Sequence, residues 1–272
     1  MTDLYRGSRT QLRYGGVFRS VIHKYYLSEG DYRLTKQDCG KGLMMGSLLV
    51  PSMREAIFES STEELGDVIA EVAEAGLDAL LEDGVIQRLP LIGAVVSLYK
   101  TGLSIRELSF IKQTAVFIES FNDGSIAQEK LDAHRKKLED NPKEADRELE
   151  RVMLLLDRTI DAKRSRVLGK LYGSYVKGAI EWEVFVELSE VNSRMYVEDY
   201  GDLQRIGSHP ISQHEKVPAR MEYRLRRLES QGLVMEQRAR LFGGNVLETP
   251  DSDERFILSP LGATFYSVMG RD

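Results

Sequence analysis

Between residues 105 and 161 apolar side chains recur at helical spacing, and residues that halt a helix stand between the runs. Leu108, Ile111, Ala115, Ile118 and Phe121 share one face of a helix from Ile105 to Phe121. Leu149, Val152, Met153, Leu155 and Leu156 stripe a second, from about Lys143 to Asp161. Ser104, with Glu107 three residues on, supplies a capping box for the first. Asn141-Pro142 separates the second from a charged helix over 125–140, which places His134 on its surface. With no strong period-2 alternation before residue 232, such a chain buries its apolar surface between helices rather than on a sheet.

The same texture extends both ways. Leu65, Val68, Ile69, Val72, Ala73, Leu77 and Leu80 predict a helix over 54–83, with Gly84 at its end. Leu89 to Tyr99 is almost wholly apolar and, with the helix after it, makes an apolar hairpin over 85–121. That run covers about half the hydrocarbon thickness of a bilayer as a helix, which favours a buried core helix. If released, its side chains Leu89, Leu91, Ile92, Val95, Val96 and Leu98 would be those to meet a membrane. KRSRVLGKLYGSYVKG and the segment from Glu181 to about Arg205 complete the helical set, with Gly178 between them, and Trp182 reads as a packing residue.

The end of the chain is patterned differently. VPARMEYRLRRLESQGLV opens a helix at Pro218, sets Met221, Leu225 and Leu228 on one face and Arg220, Arg224 and Arg227 on another, and stops at Gly232. A strand-like run from Leu233 to Leu241 follows, then a Gly-Gly-Asn turn, a strand from Glu254 to Ser259 and a helix from Leu261 to Met269. This order resembles winged helix-turn-helix modules. The resemblance implies a surface for duplex DNA or a protein partner, made by Arg220, Arg224, Arg226 and Arg227 on the helix and by Arg238 and Arg240 in the wing. Against DNA, Glu222 and Glu229 share the helix, and residues 200–272 balance ten Lys/Arg with ten Asp/Glu, where a DNA-reading face carries a basic stripe. The competing expectation is that these arginines pair with carboxylates of the preceding segment.

That segment is acidic: residues 53–199 carry 19 Lys/Arg against 29 Asp/Glu, whereas residues 1–52 carry eight against four. The head interleaves tyrosines and arginines with helix-breaking glycines, a texture suited to nucleic acid or an anionic surface. The texture changes at Met53, which reads as an alternative start with residues 1–52 as an extension. The single cysteine, Cys39, and the lack of an apolar leader segment predict a cytoplasmic protein. No metal-ligand spacing, phosphate loop or nucleophile elbow occurs, so neither cofactor nor catalysis is expected.

LPLIGAVVSLYKTGLSIRELSFIKQ (89–113), LEDNPKEADRELERVMLLLDRTIDAKRSRVLGKLYGSYVKGAIEWEVF (138–185) and the closing LESQGLV and FILSPLGATF together resemble a family of uncharacterised bacterial all-helical proteins with a winged-helix-like C-terminal module. The resemblance implies that architecture and carries no activity with it. The expected fold is therefore mainly α: a basic, poorly structured extension (1–52), a helical-bundle body with an apolar hairpin (53–200), and a winged helix-turn-helix-like domain with a short β-hairpin (201–272). The expected function is a non-enzymatic regulatory or interaction protein that binds double-stranded DNA or a protein, its body sensing or forming a homo-oligomer. A membrane-active effector using 85–121 is the alternative.

Overall fold

The computed structural model describes residues 51–55, 57–58, 105–212, 214–237, 240–242, 245–248 and 254–270, which belong to one compact unit, Leu49–Asp272. The expected head up to residue 50, the helix beyond residue 58 and the apolar run 89–99 lie outside the described residues.

The chain is a mainly helical body followed by a small antiparallel sheet, as its periodicities require. Helix α1, Ile105–Phe121, buries Ile111, Ala115, Ile118 and Phe121. Helix α2, Gln128–Asp140, and helix α3, Pro142–Asp157, meet at Asn141, with Pro142 in the first turn where a missing N–H costs nothing. Helix α3 stops four residues short of the expected Asp161. Thr159 closes its last turn on Leu156 and Leu155, and the Asp161 side chain accepts from the Arg164 N–H to cap helix α4, Ala162–Val176. Helix α4 lies against α1 so closely that a methyl on Gly169 would stand 2.5 Å from the Phe117 carbonyl oxygen. Residues 51–55 and 57–58 are helical and bury Met53 and Ile57, while Phe58 meets Phe121 edge-on at 6.4 Å.

The expected single segment from Glu181 to Arg205 is two helices, α5, Trp182–Arg194, and α6, Val197–Ser208. The break has a local cause: Met195 is extended and fully buried, and the Tyr196 N–H donates to Asp199 Oδ2 at 2.8 Å, an N-terminal cap that starts a new helix.

After α6 come β1, Ile211–Ser212, α7, Ala219–Ser230, β2, Val234–Glu236, β3, Arg240–Phe242, β4, Asn245–Glu248, β5, Glu254–Leu258, and α8, Pro260–Met269. The three-stranded sheet has the order β1-β5-β2, all antiparallel, with Glu236 opposite Phe256. The strand expected to run from Leu233 to Leu241 is divided. Gln237 closes the ladder on the Arg255 carbonyl at 2.8 Å, and the chain then enters a separate ribbon in which β3 pairs with β4. Strand β1 has too few residues to show a period and was not expected. Helix α8 closes the sheet and also touches the body: Phe265 stacks on Tyr200 at 6.5 Å, and Lys170 Nζ donates to the Met269 carbonyl at 2.6 Å.

Candidate functional site

Helix α7 positions most of the arginines expected to contact a partner. Its apolar face is Met221, Leu225 and Leu228, all buried, so the arginines at 224 and 227 emerge beside α6 and the one at 226 beside the sheet. Each meets a carboxylate of the same chain. Arg224 grips Asp202 through two nitrogens, Nη2 to Oδ1 at 3.0 Å and Nε to Oδ2. Arg227 does the same to Asp199, with Nε to Oδ2 at 3.0 Å, and its guanidinium lies over the Tyr196 ring at 4.4 Å. Arg226 donates to both oxygens of Glu236, at 2.7 and 3.0 Å, and reaches Glu229 and Glu222 at 3.0 Å. Arg255, from β5, completes that group by donating to Glu236 and Glu222, each at 2.7 Å. These hydrogen bonds, led by Asp202, Glu236 and Asp199, raise the pKa of Arg224, Arg226 and Arg227 above its ordinary value.

The other expected residues are placed differently. Arg220 is exposed in the first turn of α7. Arg240 opens β3 opposite Glu248. Arg238, and the membrane candidates Leu89, Leu91, Ile92, Val95, Val96 and Leu98, lie outside the described residues. No described helix is long and apolar enough to cross a membrane.

Magnitudes decide what the paired arginines can do. Asp199 is fully buried, and withdrawing the partner of a buried carboxylate costs about 3 kcal/mol or more. A good bidentate arginine–base contact returns about 1–3 kcal/mol of discrimination. Arg227 therefore stays on Asp199, and the face is nearly neutral.

A second constellation lies in the body, where His134 was expected on the surface. It is 7% exposed. Its Nε2 sits 2.9 Å from Glu148 Oε1, and the same carboxylate accepts from Tyr172 at 2.8 Å and from Tyr175 at 3.1 Å. Lys137 Nζ donates to the Tyr175 hydroxyl at 2.8 Å and lies 3.8 Å from Glu148 Oε2. Phe58, Phe117, Phe121 and Phe185 wall this group in, and Trp182 packs on Tyr175 and Phe185 at 5.2 and 5.0 Å. Burial opposes the charge on Glu148, but the hydrogen bond and electrostatic pull of His134, then Tyr172 and Lys137, outweigh it and hold the carboxyl below its ordinary range. Burial, with Glu148 alongside, pushes Tyr172 up. The signal for this cluster was in the spacing. Glu148 lies in the α3 stripe between Ala145 and Val152, and His134 lies between Leu131 and Leu138. Every polar atom of the carboxylate is met from within the chain, so the cluster reads as a polar core.

Among the described residues no group of three or more His, Cys, Asp or Glu is placed to hold a metal ion. Compared with protein-family models, curated proteins and solved structures, the chain matches none of them.

Proposed function

We propose that this is a non-enzymatic regulatory or interaction protein whose C-terminal module has a winged-helix-like order and works through a protein contact rather than by reading duplex DNA. One observation carries this reading: three of the four arginines on α7 are held by carboxylates of their own chain. A DNA-reading helix presents its cations outward to phosphates and base edges. Here the outward face offers Arg220 beside an exposed tyrosine, Tyr223, and an exposed acid on α6, Glu198. Tyrosine and arginine are enriched at protein interfaces, and the rims of such interfaces are polar. The lone Cys39 fits a reducing, cytoplasmic setting.

Anisotropy of a labelled duplex, titrated with the full chain across a salt series, tests this. The expected result is that any binding is unchanged when Arg220→Ala, Arg238→Ala and Arg240→Ala are combined. Binding with a steep salt slope that disappears in the triple variant would make the module a DNA reader.

A further inference from the structure

The outward face of the α6–α7 pair exposes large side chains. Tyr223 is 77% exposed, Tyr196 56% and Val197 55%. Arg227 lies over the Tyr196 ring and is one helical turn beyond Tyr223, which sets the two tyrosines on the same side of the α6–α7 pair. Gly201 sits in the middle of α6, next to Asp202. A methyl group there would meet nothing within 4 Å. A glycine inside a helix costs roughly 0.5–1 kcal/mol relative to alanine, and no neighbour in this chain requires one here. A bare backbone on an exposed helix gives room for something that approaches from outside.

The rim of the patch carries both signs of charge. Glu198 is exposed on α6 and Arg220 on α7, while the arginines between them are already neutralised by Asp199 and Asp202. One surface thus presents an aromatic knob, a bare site, an acid and a base. A surface that contains its own complement is the requirement of a two-fold interface, where each residue meets its counterpart's partner.

We propose that this face docks on the same face of a second copy of the chain. Glu198 of each protomer lies opposite Arg220 of the other, and Tyr223 of each lies over the bare backbone at Gly201 of the other. The proposal deepens the reading of the module as a protein-binding surface and rests on it.

Sedimentation velocity of the full chain at micromolar concentration tests the proposal, with far-UV circular dichroism to verify folding. The wild type sediments as a dimer. Arg220→Glu places two acids opposite each other across the axis, Glu198→Arg places two bases there, and each variant alone sediments as a monomer. An equimolar mixture of the two restores the dimer, because every contact then joins an acid to a base. Tyr223→Ala weakens association by about tenfold or more, the loss typical of a central aromatic anchor. A monomeric wild type, a dimer indifferent to all three substitutions, or charge variants that stay apart when mixed would each overturn the proposal. No DNA is present in these samples, so this outcome is separate from that of the anisotropy titration.

Discussion

Replacing Gly262 by alanine is expected to lower the thermal unfolding midpoint by roughly 6–12 °C, the equivalent of about 3 kcal/mol in a chain of this size. Gly262 lies in the first turn of α8, where its N–H donates to Ser259 Oγ at 2.9 Å. Ser259 in turn donates its hydroxyl to the Gly232 carbonyl and its N–H to the Leu233 carbonyl at 3.0 Å. These bonds clamp the start of α8 onto the turn that ends α7. A methyl group at 262 would overlap the Leu233 carbonyl oxygen and come within 2.7 Å of its carbon. The obstacle is backbone, so no rotamer change relieves it. In the monomeric Arg220→Glu background, Gly201→Ala, whose new methyl meets open space within its own chain, is the control, and is expected to leave stability unchanged or raise it by about 0.5–1 kcal/mol. Equal midpoints for the Gly262→Ala variant and the wild type in calorimetry would show that α8 does not seat as described.

Glu148→Ala is expected to cost about 3–5 kcal/mol in denaturant unfolding, the penalty for removing a buried carboxylate on which two buried groups both depend. The loss of carboxylate packing is the smaller part. The larger part comes from the groups left behind, because His134 and Tyr172 are both buried and both lose the same acceptor. The pH dependence of the wild type follows from the two shifts. Glu148 is held below its ordinary pKa, so its contribution is complete above the unfolded value and is lost as pH falls through the folded one, in the acid range below about 4. Tyr172 is raised, so its contribution is complete below the ordinary tyrosine value of about 10 and is lost as pH rises beyond it. Stability should therefore form a plateau between an acid and an alkaline limb. In Glu148→Ala the acid limb should shrink, and an acid limb of unchanged depth would show that other carboxylates produce it.

The sequence made the helices legible where burial and period coincide. Ile105–Phe121 has the bounds that its capping box and apolar face predict, and Gly178 and Gly232 take positive φ where helices were expected to stop. The misses share a different physics. The break at Met195 is tertiary, since a buried methionine ends α5 while the carboxylate of Asp199 starts α6, and propensity alone sees a continuous helix there. The division of the run from Leu233 to Leu241 depends on which strand lies alongside, which no local pattern states. His134 was misplaced because its charged neighbours made the helix look wholly solvated, although the Leu131–His134–Leu138 spacing marked its buried side. At the arginine helix the residues were visible in the sequence but their partners were not. Asp199 and Asp202 lie more than twenty positions earlier and come within reach only because α6 packs on α7.

Those two pairs also bear on descent. Arg224 cannot be lost without leaving the carboxylate of Asp202 stranded, and Arg227 stands in the same relation to the fully buried Asp199. Substitutions at these sites are conditional on one another, so lineages that share this fold should keep or exchange each pair together. Glu198 and Arg220, tied to nothing so deep, can drift at their own pace unless another copy of the chain holds them in step.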